Sequence, residues 1–221
     1  MSSLRSVALA AALVLAAAGA QAVTLTPDTF TPLPGTTDAA QPFLDGVVQA
    51  DTLTPFSFNA YGGTVSGTVQ SRVVRETGSG TLDFYWRVMV DANSAGNIGS
   101  FRIGNFNVPS FDANWRIDGL GDTAPQYGYA FSGNPGDANF EFHDLTGGGG
   151  LAPGHESYFM FVHTSATQYG MTGVMDLTNM GQTEISQLYA TYAPVPEPES
   201  IALMLAGLGM VGALALRRRR A

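Results

Sequence analysis

Between residues 81 and 90 every second side chain is apolar. Leu82, Phe84, Trp86, Val88 and Val90 fall on one side of an extended chain, and Thr81, Asp83 and Arg87 on the other. Successive side chains of a strand point to opposite faces, so this spacing predicts a half-buried β-strand. Residues 63–74 repeat the pattern, with Val65, Val69 and Val73 opposed to Thr64, Ser66, Thr68, Gln70 and Arg72. Between the two, Glu76-Thr77-Gly78-Ser79-Gly80 has the chemistry of a hairpin loop. Further strands are expected at residues 100–108, 126–132, 139–144, 157–164, 170–177 and 184–192, separated by clusters of Gly, Pro, Asn and Asp. No stretch of residues 23–194 carries a long stripe of period 3.6, and no fixed-period repeat is present. The pattern predicts an all-β domain, a single antiparallel β-sandwich of jelly-roll-like or Ig-like form, with a β-barrel as the alternative. Residues 24–42, rich in Thr and Pro, read as an extended lead-in able to add an edge strand.

Two apolar segments flank this body. Arg5, the continuous apolar residues 7–18 and the small-x-small triplet Ala20-Gln21-Ala22 make residues 1–22 a signal peptide cleaved after Ala22. A second apolar run, residues 201–216, is expected to be helical and ends at Arg217, Arg218, Arg219 and Arg220. At ~1.5 Å per residue it spans a ~30 Å hydrocarbon core only marginally, and Gly207, Gly209 and Gly212 weaken it further. Basic flanks stay cytoplasmic, so both tips start inside and the body lies outside, with the arginines as a stop to transfer.

The body, residues 23–194, has a usual size for one domain and carries sixteen acidic residues against five arginines, a net charge of −11. Nucleic acid is excluded as a partner on this balance. Cysteine is absent, which removes disulfides, thiolate nucleophiles, cysteine zinc sites and a lipidated cysteine. Lysine is absent too, so Schiff-base chemistry and a P-loop are unavailable.

Immediately before the second apolar run stands Val195-Pro196-Glu197-Pro198-Glu199-Ser200. A Pro-Glu-Pro element, one apolar segment and a terminal arginine cluster, in that order over residues 195–221, resemble the PEP-CTERM sorting signal of exopolysaccharide-producing Gram-negative bacteria. The resemblance implies recognition by an exosortase, a membrane cysteine peptidase, cleavage near the Pro-Glu-Pro element, a transient stay in the inner membrane, and delivery to the cell surface or extracellular matrix. It makes extracellular polysaccharide a candidate partner. Similar tails also occur on some ice-binding proteins. The body is more loosely similar to that of other such proteins through Gly80-Thr81-Leu82-Asp83-Phe84 and the strand that follows its Asn/Asp-rich turn. Leu33-Pro34-Gly35-Thr36-Thr37 imitates a sortase site, but lies far from the apolar tail and lacks the final glycine, so it is read as a decoy.

The remaining patterns point away from an enzyme. No Gly-x-Ser-x-Gly is present. Glu141 and His143, with Asp137 and Asn139 continuing their stripe, are the best metal candidates, yet alternation with Phe140 and Phe142 makes a solvated polar face the expected reading. His155 and His163 share no ligand spacing with His143 and are expected to be structural or surface residues. Asp91-Ala92-Asn93-Ser94-Ala95-Gly96 starts like a calcium loop but has Ala95 and Arg102 where ligands belong. No cofactor is expected, with an irregular structural Ca²⁺ among the acidic loops as the open alternative. Trp86, Trp115, Tyr85, Tyr127 and Tyr129 are candidates for a sugar-stacking platform, Trp86 belonging to the core and Trp115 being the most exposed. The expected protein is non-enzymatic, with a carbohydrate- or ice-binding module and a polysaccharide-active hydrolase as the alternatives.

Overall fold

A computed structural model describes residues 22–195. Among them twelve strands form two sheets: β1 (Val23–Thr24), β2 (Thr31–Pro32), β3 (Gly46–Ala60), β4 (Gly63–Glu76), β5 (Leu82–Val90), β6 (Ile98–Gly104), β7 (Asp112–Trp115), β8 (Tyr127–Ala130), β9 (Ala138–Glu141), β10 (Met160–His163), β11 (Tyr169–Asn179) and β12 (Tyr189–Pro194). Sheet A has the order β1-β7-β10-β5-β4-β3 and sheet B the order β12-β11-β6-β9-β8-β2. Every named strand pair is antiparallel. The expected sandwich is therefore the fold. The signal helix and the apolar tail helix, together with Ala20, Pro196, Glu197, Pro198, Glu199 and Arg217 to Arg220, lie outside the described residues. No helix among the described residues is long and apolar enough to cross a membrane.

The core forms where the inward rows of the two sheets meet. Val65, Val69, Val73, Phe84, Trp86 and Val88 of sheet A pack with Phe101, Ile103, Phe140, Met175 and Leu177 of sheet B in one buried cluster. Each such side chain contributes about 1.5–3 kcal/mol by leaving water. Trp86 anchors the cluster, within 5.9 Å of the Phe101 ring and 5.7 Å of Phe106. Its indole N–H donates to Thr191 Oγ1 at 2.8 Å, so the one polar atom of the side chain is satisfied inside the core.

The half-buried reading of residues 81–90 needs correction. Asp83 and Tyr85, on the face opposite Trp86, are also buried. The lead-in explains this: its 3-10 helix Pro42–Leu44 sets Leu44 and Phe43 against Val74, Tyr85, Phe159 and Phe161, a second apolar cluster on the outer face of sheet A. The same lead-in supplies short edge strands to both sheets, β1 beside β7 and β2 beside β8.

The longest strand, β3, was not expected from the sequence, because Pro55 and the exposed first half of the segment hide its period. An edge position resolves the conflict, since β3 pairs only with β4 and an edge strand tolerates a missing N–H. Tyrosines of sheet B occupy part of its open side. Tyr189 Oη accepts from Ser57 N at 3.1 Å, Tyr192 Oη lies 2.6 Å from Thr52 Oγ1, and Tyr169 Oη donates to Gln49 O at 3.3 Å. The expected strand at 184–192 is displaced to β12, residues 184–186 being used instead to fold back on β11. β7 was also missed, being short and full of polar residues.

Candidate functional site

Inward apolar residues of sheet B leave the alternate positions to build its outer face. In β8 Gly128 and Ala130 are buried, so Tyr127 and Tyr129 project outward, each half-buried. Phe30, from the loop before β2, lies 5.0 Å from the Tyr129 ring and 6.1 Å from Tyr127, and Phe131 lies 4.9 Å from Tyr129. The result is a row of four aromatic rings, of which Phe30 is 40% exposed. The hydroxyls of Tyr127 and Tyr129 make no hydrogen bond to other described residues.

The row runs into a groove of about 430 Å³ lined by Phe131, Asn134, Asp137, Asn139, Arg102 and Asp176, with Leu188 at its margin. Pairing places these groups: Arg102 stands opposite Asn139 on one side and Asp176 on the other. Arg102 donates from Nε to Asp176 Oδ1 at 2.5 Å and from Nη2 to Oδ2 at 2.7 Å. Both Asp176 oxygens are thus held in a two-point, charge-assisted pair. That bond raises the Arg102 pKa against the effect of its burial.

Glu141 belongs to the same face but not to solvent. It is 1% exposed and Asn139 is 5% exposed, which overturns the expected solvated stripe. Lateral cover is the reason: β9 is an interior strand with β6 and β8 on either side, and His143 and Gln182 close over it. Asn139 Nδ2 donates to Oε1 at 3.0 Å, and His143 Nε2 lies 3.0 Å from Oε2. Asp137 lines the groove, Asn139 borders it and also donates to Glu141, and His143 pairs with Glu141, so the four do not converge on a metal.

Burial raises the Glu141 pKa above its ordinary 4.5, more than Asn139, His143 and Arg102 lower it. The folded chain therefore takes up a proton in the window between the two values, and stability falls as pH rises through it. Glu141→Gln, neutral throughout, should lack this slope in a series of thermal melts on the acid side of neutrality. Glu141→Ala should cost roughly 1–3 kcal/mol, because it strands the Asn139 donor and leaves His143 Nε2 without its partner. Identical pH profiles for the native chain and Glu141→Gln would refute the assignment.

A second constellation lies on the outer face of sheet A. Glu76 ends β4, Asp83 lies in β5 and His163 ends β10, and Asp83 and His163 are directly opposite in register. His163 Nδ1 is 2.8 Å from Asp83 Oδ1 and 3.0 Å from Glu76 Oε1. Burial pushes the Asp83 carboxyl up to about 6, against the lowering effect of His163, and the bond to Asp83 raises the His163 pKa in turn. The Phe43 ring lies 4.3 Å from the imidazole. Among the described residues this is the one group of three His, Asp or Glu side chains whose ligand atoms converge, all within 4.8 Å. It was invisible in the sequence, where nothing pairs residue 163 with residue 83.

Other expectations resolve by geometry. Trp115 is not an exposed platform: it lies in β7, stacks on Tyr158 at 4.9 Å and donates from Nε1 to Leu33 O at 2.9 Å. Tyr85 is buried, as is Trp86. The decoy segment is locked against Trp115, with Leu33 and Thr36 buried and a positive φ of 77° at Gly35, where a Cβ would strike the indole. Asp91 accepts from Ser66 Oγ at 2.7 Å and its loop gathers no ligand set. His155 pairs with Asp122 at 3.2 Å on the surface.

At the C-terminal end of the body, β12 ends at Pro194 and Val195 N still donates to Gln168 O at 3.2 Å. The tail signal thus starts at the rim of sheet B. A family model for the PEP-CTERM protein-sorting motif matches residues 194–220. The chain carries a PEP-CTERM sorting motif. The motif supports exosortase-dependent sorting of an exported protein through a membrane-anchored precursor. The PEP-CTERM match begins at Pro194, the last residue of β12. No curated protein and no solved structure matches the chain.

Proposed function

We propose that this is a non-enzymatic protein of the cell surface or extracellular matrix whose sandwich holds extracellular polysaccharide on the outer face of sheet B. The observation that carries the reading is the row Phe30, Tyr127, Tyr129 and Phe131 leading into a groove lined by Asn134, Asp137 and Asn139. Sugar rings offer apolar C–H faces to aromatic planes and hydroxyls to amides and carboxylates, so a half-exposed ring row beside such groups suits them. The net charge of −11 on the body favours uncharged glycans over acidic ones.

Two features argue against the hydrolase reading. Both Asp176 oxygens are taken by Arg102, and Asp137 Oδ1 accepts from Asn105 N at 3.3 Å. Glycoside hydrolysis needs one carboxyl to give a proton and a second to attack or activate water across the bond. The ice-binding alternative wants a regular hydroxyl row, but Ser66 is bonded to Asp91 and Gln70 to Asp51 within the row at residues 64–70.

The exported protein should retain at least one uncharged polysaccharide on a glycan array. Tyr129→Ala should weaken that binding about tenfold, equivalent to ~1.4 kcal/mol, while Tyr129→Phe keeps it. No binding to any uncharged polysaccharide, or binding indifferent to Tyr129→Ala, would defeat the proposal.

A further inference from the structure

We infer that Glu76, Asp83 and His163 form a binding site for a first-row divalent cation of the Zn²⁺ or Mn²⁺ type, open on one side to the adjoining cavity. Three neighbouring strands deliver the ligands, β4, β5 and β10, so the arrangement rests on rigid sheet rather than on loops. His163 Nδ1 faces two carboxylate oxygens, at 2.8 and 3.0 Å. One ring nitrogen has a single proton to give or a single lone pair. Asp83 Oδ1 lies on the hydrogen-bond line, whereas Glu76 Oε1 is buried, aimed at the same nitrogen, and accepts no hydrogen bond. A buried carboxylate oxygen without a donor is costly. A cation between the three atoms would engage all of them at once.

Charge points the same way. With both carboxylates ionised, one imidazole leaves net negative charge whether or not it is protonated. Arg75, the nearest arginine along the chain, is turned away, donating to Gly80 O and Thr167 O. Among the described residues no arginine forms an ion pair with Glu76 or Asp83. A divalent ion with two carboxylates and a neutral imidazole is neutral overall.

The surroundings fit a metal. Ser79 Oγ donates to Glu76 Oε2 at 2.5 Å and so fixes the carboxylate from behind, as outer partners of metal ligands do. A cavity of about 380 Å³, bordered by Ser79, Thr81, Asp112 and Thr164, adjoins Glu76 and His163 and gives an entry path and room for water ligands. One nitrogen and two carboxylate oxygens match ions that accept imidazole. Ca²⁺, which takes oxygen ligands, fits less well.

Calorimetric titration of the exported protein, stripped with EDTA and returned to metal-free buffer, tests the site. A single Zn²⁺ or Mn²⁺ per chain should bind saturably and raise the melting temperature. Glu76→Gln and His163→Ala should each weaken binding on the order of tenfold or more, and the buried Glu141→Gln control should leave it unchanged. Glu76→Gln conserves shape and removes a buried charge, so it reports on the site even where His163→Ala fails to fold. Absence of saturable Zn²⁺ or Mn²⁺ binding, binding of Ca²⁺ alone, or full affinity in Glu76→Gln would each overturn the inference. Glycan binding at the outer face of sheet B is measured separately, so either result stands without the other.

Discussion

Trp86→Ala is expected to destabilise the body by about 3–5 kcal/mol, a large share of the ~5–15 kcal/mol typical of a whole domain. The side chain is 1% exposed and reaches across from sheet A to the Phe101 and Phe140 rings of sheet B and to Phe106 in the loop after β6. Removing it opens a cavity that β-strands fixed by their ladders cannot collapse to fill. It also takes the indole N–H from Thr191 Oγ1, which retains only Ser71 as a partner at 3.2 Å. Trp86→Phe should cost less, because it keeps most of the ring volume and loses the hydrogen bond. Urea unfolding of the three chains measures the series. A loss below about 1 kcal/mol for the alanine variant would mean that the site relaxes, against the packing described here.

Replacing Arg217, Arg218, Arg219 and Arg220 with neutral residues should abolish sorting outright. Each arginine costs on the order of 2.5–3.5 kcal/mol to place at the bilayer centre, so together they are expected to hold the tail's end on the cytoplasmic side. Without them the short apolar run should slip through, and the protein should be found unsorted with its tail intact. The native chain, in contrast, should be recovered from the surface without residues 1–22 and without the apolar segment, by intact mass. Normal sorting of the neutral variant would contradict the topology. Val195 gives the experiment a structural edge, since its bond to Gln168 keeps the start of the motif against the folded sheet.

The hairpin of β4 and β5 was readable because both strands alternate cleanly and the loop between them is built of Thr, Gly and Ser. The strand β3 was not, since Pro55 argues locally against a strand and half of its residues face solvent on an edge. Edge or centre is a property of the neighbours a strand acquires, and no residue of β3 encodes it locally. The same reason misplaced Glu141. Alternation assigned it to the outer face, which is right, but exposure of that face depends on flanking strands and on His143 and Gln182 folding over it.

By itself, then, the order of residues determined the period-2 strands, the antiparallel all-β class and the sorting motif at the C-terminal end. These rest on contacts between near neighbours or on a linear signal read as a linear string. Tyr127 and Tyr129 were candidates from the sequence, but their ring neighbours, and the whole cluster around His163, were decided by tertiary structure. Tyr129 meets Phe30 only when β2 closes the edge of sheet B beside β8, and His163 meets Asp83 and Glu76 only when β10 settles beside β5. Such sites join residues that lie far apart in the chain through strand register, and register is chosen by the burial of whole faces rather than by any one of the residues that then come together.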